Sequence, residues 1–540
     1  MLEPGPQKQF NPFFPLILAL VLIAGVFLGT FLNFSDRPAD LKNPAHSTNG
    51  KIDNILDYIQ LNYVDTISRD KLEEKTLVSM LHSLDPHSDY IPASELQEVN
   101  EPLQGNFEGI GVEFNILNDT ITIVTPISGG PSEKVGIVAG DKIIKVDGKN
   151  MAGVKITNKQ VFERLRGKHD TKVKISVKRK GTRGLLDFTI TRGEIPIYSL
   201  DVAYMPLKDI GYIKISRFAA NTYDEYQKAF NKLKRQGMKK LIVDLRGNGG
   251  GYLNAAVDLA DEFLSKGMQI VYTKGKSSPK KQYIATDKGS FENDGLVILI
   301  DEGSASASEI LAGAVQDNDR GSIIGRRSFG KGLVQEQLEL PDGSALRLTT
   351  ARYYTPSGRC IQKTYKNGNE AYYNEEYDRY NNGELLSADS IHFSDSLKYR
   401  TVGGRTVYGG GGIMPDIFVG LDTSYRSSYL TKVFFSGIVN EFSFDYVDKN
   451  RDEFRKYKSS RDFISSFSVT EEVLQQFYAF AQKNGVPKNE KDLIKSGSYL
   501  RLQLKALIGR NLFNNEAFYP VIHQHDKVMQ KALDVLSGLK

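Results

Sequence analysis

The chain reads as an α/β protein with helical units at both ends and a β-rich module inserted ahead of its main domain. Three observations carry that reading. Short alternating apolar segments with glycine-rich turns fill residues 105–192. From 193 to 420, apolar strands such as Leu296-Val-Ile-Leu-Ile300 alternate with helical stretches such as Ala255–Leu264. Outside these limits, 51–100 and 421–540 are mostly helical in pattern. A chain of 540 residues is too long for one core, since single cores stop growing at about 250 to 300 residues. A composition of 40% hydrophobic and 25% charged residues is ordinary for globular proteins, and a formal charge of +5 is too small for this length to point to nucleic acid. Cys360 is the single cysteine, which excludes an intramolecular disulfide.

The N-terminal elements follow in order. Phe13 to Leu32 is a run of 20 uncharged residues, about 30 Å as a helix and long enough to span a bilayer. A cleaved signal peptide has a shorter apolar region, so the expectation is an uncleaved anchor over 13–32 with a tail of residues 1–12 before it. Lys8 and Arg37 flank the run and do little to orient it. Residues 33–50 are rich in Asn, Ser, Pro and Asp and read as a linker. Within the helical unit 51–100, Ile52, Ile55, Leu56 and Ile59 follow helical spacing, and a second run from Lys71 to Leu84 stops at Asp85-Pro86.

Residues 101–192 hold two glycine motifs, Gly109-Ile110-Gly111-Val112 and the stretch from Ser128 to Met151 that contains Gly130-Pro131 and Gly140-Asp141-Lys142-Ile143. Alone, the tetrapeptide is compatible with a glycine bulge in a strand; the pair resembles a PDZ domain. The resemblance implies that Gly109, Ile110, Gly111 and Val112 form a carboxylate loop beside a strand edge that accepts a peptide C-terminus. The lysines of Lys172–Lys178 alternate along a strand, which makes them a solvated face rather than a nucleic-acid patch.

The chemistry concentrates between Leu296 and Gln335. A strand runs into Gly303-Ser304-Ala305-Ser306-Ala307-Ser308-Glu309 and then a helix, which puts Ser306 at a strand-to-helix junction beside free helix N–H groups, with Ala307 the obvious oxyanion donor. Ser306-x-x-Glu309 is also a capping box. Lys331 follows in Phe329-Gly-Lys-Gly, and Gln335 lies four residues on. A serine hydroxyl needs a base, and a lysine serves only when neutral, which demands burial, with Phe329 and Leu333 at hand to supply it. On a strand, 331 and 335 would share a face. The segment is similar to the signature of the carboxyl-terminal processing peptidases, the tail-specific proteases. That resemblance extends over roughly 50–420 through Leu84-Asp-Pro-His-Ser-Asp-Tyr90, Ala351-Arg-Tyr-Tyr-Thr-Pro356 and Gly411-Gly-Ile-Met-Pro-Asp-Ile417. It implies Ser306 as nucleophile, Lys331 as base and Gln335 as its partner, on a core of crotonase or Clp type over 193–420.

A second oxyanion donor is expected from Gly247-Asn248-Gly249-Gly250-Gly251, where Gly249 replaces a proline of the family pattern; Gly249 and Gly250 are the candidates. The dinucleotide pattern Gly-x-Gly-x-x-Gly is not met there. Of seven histidines, His87 and His392 are the formal alternatives as base, and His523-x-His525 has no companion cluster for a metal. The resemblance implies an endopeptidase that cuts proteins near exposed C-termini without metal or organic cofactor. It places a single-pass protein in the bacterial inner membrane with its catalytic part in the periplasm. PDZ docking would align the catalytic groups, and a homo-oligomer and an adaptor protein stay open. The rival reading is an inactive scaffold that only tethers C-termini.

Overall fold

The computed structural model describes residues 19–26, 28, 50–127 and 129–539. Of the anchor expected over 13–32, residues 19–26 and 28 are described and helical. Its remainder, the tail 1–12 and the linker through 49 lie outside the described residues, and no described helix is long and apolar enough to cross a membrane. The chain divides into two compact units, Met1–Ser79 and Met80–Lys540. In the first, Arg69 binds Asp53, Asp57 and Glu73 and so ties the helix Lys51–Asn62 to the start of the helix beginning at Arg69.

The second unit is built on a six-stranded sheet in the order Leu200–Leu207, Ile210–Ile215, Lys240–Asp244, Gly295–Ile300, Ser322–Gly325, Ile417–Phe418. The first pair is antiparallel and the others parallel. Every residue of Ile210–Ile215 is buried, as a strand covered on both faces requires. Alternate residues serve opposite faces. Ile213, Leu241, Val243, Ile298 and Ile300 pack under the helices Thr222–Arg235, Leu253–Asp261 and Ala307–Asp317. Ile210, Tyr212, Ile242, Val297 and Leu299 pack under Val528, Met529, Ala532 and Leu536 of the helix Lys527–Ser537.

A second sheet pairs Asp89–Ile91, Ala345–Tyr354, Gln269–Gly275 and Lys281–Ile284, with Leu333–Glu339 along the other side of Ala345–Tyr354. The helical unit expected over 51–100 thus contributes a strand to the core, because Asp85-Pro86 ends its second helix and releases extended chain.

The inserted module is a sheet in the order Val112–Leu117, Thr120–Pro126, Lys142–Val146, Lys172–Lys178, Leu186–Thr191 over its own apolar core. Val112–Leu117 is an edge strand. The helix Asn158–Leu165 begins at a Thr157/Gln160 capping box, and its Phe162 ring meets Phe114 of the edge strand edge-on at 5.7 Å. After residue 420, the helices Ser428–Phe435, Ile438–Lys449, Glu471–Lys483 and Glu490–Phe513 enclose a separate core of Val433, Phe442, Phe477 and Leu504. The extension is therefore helical as expected, yet its final helix belongs to the central sheet.

Candidate active site

The parallel strands end in the loops that carry the chemistry, the usual place for a site in an open α/β sheet. Beyond Ile300 the chain turns sharply, and Ser306 takes φ 55° and ψ −113° before the helix Ala307–Asp317 begins. A non-glycine residue in that region is strained and holds only where its surroundings fix it. Here the fixing is done by Glu309, which is 0% exposed. One of its carboxylate oxygens accepts from the N–H groups of Ser306 at 2.9 Å and Lys331 at 2.8 Å. The other accepts from the Ser328 hydroxyl at 2.5 Å and the Gly330 N–H at 2.8 Å. The residue that closes the capping box on Ser306 thereby also fixes the loop of Lys331. Complete burial pushes the Glu309 acid up to about 7, against the pull of those four donors.

Lys331 lies in the loop before the strand Leu333–Glu339 rather than on it, so the shared-face argument is corrected: the long side chain makes the approach. Its Nζ donates to Gln335 Oε1 at 3.0 Å. Burial, helped by the charge of Arg347, holds its amine below the ordinary lysine value, which is the direction a general base needs. Gln335 Nε2 in turn donates to the His87 carbonyl. His87 is not a base: its Nε2 meets the Tyr372 hydroxyl at 2.9 Å, and burial with the nearby Lys331 lowers its pKa to about 4. The hydroxyl of Tyr353 lies 3.1 Å from the Ser306 carbonyl and 2.7 Å from that of Lys331, a further bridge between the two loops.

Ser306, Lys331 and Gln335 line one cleft of about 610 Å³ with Gly249, Gly250, Gly251, Tyr252 and Arg347. Lys331 and Ser306 both line it and share no hydrogen bond, the lysine amine being turned to Gln335. The glycine loop passes directly under the serine. A Cβ on Gly250 would stand 2.7 Å from Ser306 Cβ and 2.9 Å from the Ala307 nitrogen, so only glycine fits, and its φ of 98° asks for glycine as well. The Gly250 N–H, expected as an oxyanion donor, is taken by Asn248 Oδ1 at 2.9 Å. The N–H groups of Gly249 and Ala307 have no partner among the described residues.

Arg246, just before this loop, is clamped by Asp244 at 2.6 Å and by Asp526 at 2.8 Å, and its carbonyl accepts from Lys214 Nζ. His523 sits in the same region, buried against Tyr204 with 2.7 Å from Nδ1 to the hydroxyl, and has a packing role.

In the inserted module, the Ile110 carbonyl accepts from Ser132 N–H and Oγ–H at 3.0 and 2.6 Å, and the Gly111 carbonyl from Ile127 N–H at 3.0 Å. Trans peptides turn the N–H groups of Gly111 and Val112 the opposite way. Gly109 pairs with Gly193 at the base of the loop.

Gln335→Ala is expected to lower kcat about tenfold with a smaller change in KM, since it removes the partner that positions the Lys331 amine and leaves the other residues lining the cleft in place. Steady-state kinetics on one peptide substrate measures the split.

The pattern of peptidase family S41 matches residues 209–368, that of PDZ domains matches 109–190, and a family of unknown function matches 429–514. A carboxy-terminal-processing protease of Bartonella bacilliformis is 37% identical over 350 residues, 64% of this chain and 80% of that one. Carboxy-terminal processing protease CtpB of Bacillus subtilis is 34% identical over 353 residues, 63% of this chain and 72% of that one. A solved photosystem II D1 C-terminal processing protease is 27% identical, covering 68% of this chain and 92% of that one at a TM-score of 0.34. A glycine loop, a strained serine and a partly buried lysine lining one cleft thus coincide with extended sequence likeness, and the chain belongs to peptidase family S41, as a serine-type peptidase among the carboxy-terminal processing proteases.

Proposed function

We propose that the chain is an endopeptidase that cuts proteins near their C-termini, with Ser306 as nucleophile, Lys331 as general base and Gln335 as the positioning partner of that lysine. The observation that carries this reading is the joint hold of Glu309 on the N–H groups of Ser306 and Lys331, which keeps nucleophile and base at one cleft. Lys331 Nζ takes the proton of Ser306 Oγ as that oxygen bonds to the peptide carbonyl carbon. The amine carries the proton to the departing peptide nitrogen, and a water, deprotonated in the same way, releases the acyl group from Ser306. The N–H groups of Ala307 and Gly249 are the oxyanion donors in this reading.

For that proton transfer, Lys331 Nζ must leave Gln335 for Ser306. PDZ docking is the natural trigger. The substrate C-terminus lies on the edge strand Val112–Leu117 with its carboxylate on the loop Gly109-Ile110-Gly111-Val112. Support comes from Arg166, which follows the helix Asn158–Leu165. Its guanidinium lies 4.8 Å from the Phe107 ring and 4.9 Å from that of Phe162, and pairs with Glu101 at 2.6 Å. Glu101 belongs to the helix Ala93–Gln104, which lends Asn100, Leu103 and Gln104 to the catalytic cleft. Residues 13–32 anchor the chain in a bacterial inner membrane, a reading that rests on the length of the apolar run, with the catalytic part in the periplasm, which rests on the family resemblance alone.

The test is cleavage of an unfolded reporter with an apolar C-terminus by the full chain, beside Ser306→Ala. The expected result is a cut by the parent, none by the variant, and equal binding of the C-terminal peptide by both. Equal binding with no cut by either would favour a tethering scaffold.

A further inference from the structure

The catalytic cleft holds one cation that the acyl transfer does not use. Arg347 stands on the strand Ala345–Tyr354 directly across from Gln337, while Gln335 pairs with Thr349. Side chains of alternate residues share a face, and Gln335, Gln337, Glu339 and Arg347 all line the cleft with Ser306 and Lys331. Through Nη2, Arg347 donates to Gln337 Oε1 at 2.9 Å and to Asn100 Oδ1 at 3.4 Å, both neutral. Its Nε and Nη1 protons donate to no described group. Neither nearby carboxylate forms an ion pair with it, although the Asp89 charge acts on it from a distance. Asp89, its partner across the strand pair, turns to the Tyr90 N–H at 2.9 Å and to His82 at 3.5 Å. Glu339 lies two register positions farther along the hairpin, opposite Ala345, and forms no ion pair among the described residues. A half-buried guanidinium without a carboxylate, fixed by two amide oxygens, is a planar donor fork aimed into a peptide-cutting cleft.

We propose that Arg347 is a carboxylate-binding subsite for the polypeptide being cut, and so a specificity determinant. This rests on the peptidase reading of the same cleft. The step from the Gln335–Thr349 pair to the Gln337–Arg347 pair is about 7 Å, the reach of about two residues of an extended peptide. The carboxylate therefore belongs within a few residues of the bond cut. It is either the side chain of an Asp or Glu or the terminal carboxylate of a short tail, and both present the same two oxygens. The reach of the guanidinium's field to the catalytic centre is already visible in its share of the lowered proton affinity of Lys331.

The experiment compares the full chain with Arg347→Gln on matched reporters. One series exchanges Asp or Glu for Asn or Gln at each of three positions on either side of the cut. A second places a free or amidated C-terminus at increasing distance from it. Because removing Arg347 raises the Lys331 pKa, rates are taken above the acid limb of each enzyme's pH profile, and the readout is the ratio of kcat/KM for the charged and neutral partners. In the parent, one acidic substrate is expected to exceed its amide by about tenfold or more, and in Arg347→Gln that ratio falls to near one. The responding series identifies side chain or terminus as the source. A parent without preference, or a preference that survives Arg347→Gln, overturns the proposal. So does a variant that loses charged and neutral substrates alike. Binding of free-acid and amidated product peptides to Ser306→Ala, with and without Arg347→Gln, judges the subsite even if no reporter is cut, which separates its failure from that of the peptidase reading.

Discussion

Exchange of Lys331 for alanine is expected to lower kcat/KM by about 10⁴-fold or more, to the level of Ser306→Ala, and the double variant is expected to be no worse than either single one. The reason is that no imidazole and no second lysine lines the cleft among the described residues. His87 is the nearest imidazole, but its ring is bound to Tyr372 and its pKa of about 4 leaves it a feeble proton acceptor. The ammonium form of Lys331 has no lone pair, so the parent's rate must climb with pH through the lowered pKa of this amine and fall away on the acid side. Lys331→Arg, permanently charged, should be as inert as the alanine variant. Single-turnover cleavage across a pH series reads all of these. A Lys331→Ala enzyme that still cuts at a tenth of the parental rate would assign the base elsewhere.

Glu309→Ala should cost more in stability than any other single change at the site. It strands four donors, on Ser306, Ser328, Gly330 and Lys331, in a place with no solvent access. Each buried unsatisfied group costs about 1–3 kcal/mol, so a loss of about 3 kcal/mol or more is expected even after relaxation. Released from its clamp, Ser306 can relax out of its strained φ and ψ, and cleavage should fall by about 100-fold or more. Glu309→Gln tests the electrostatics. A carboxyl raised from 4.5 to about 7 contributes stability fully below 4.5, and that contribution is lost as pH rises through about 7. Urea unfolding between these limits should slope downward for the parent and be flatter for Glu309→Gln; parallel slopes would mean that Glu309 does not titrate there.

Much of the site was legible because its central parts lie within forty residues and their spacing is distinctive: Ser306, Lys331 and Gln335 meet in one cleft. What the sequence could not reveal came from distant chain. Gln335 leans on the carbonyl of His87, 248 residues away, and a carbonyl leaves no trace in residue type. Glu309 was visible as a cap, yet only the fold brings Gly330 and Lys331 to the same carboxylate. The choice between Gly249 and Gly250 needed the position of Asn248 Oδ1, a side-chain detail that no spacing encodes. Nothing in the residue type or spacing of Arg347 marks it out, since its lack of an ion-paired carboxylate is a property of its surroundings.

The helix Lys527–Ser537 begins 221 residues beyond Ser306, yet it covers one face of the sheet that carries the loops of Ser306 and Gly250. Until those residues leave the ribosome, Tyr212, Ile242, Val297 and Leu299 lack the helix that covers them on that face, and Arg246 lacks its Asp526 clamp. Synthesis from the N-terminus runs through nucleophile and base long before it supplies the cover that steadies them. Settling of these loops is thereby tied to the arrival of a helix made well after them.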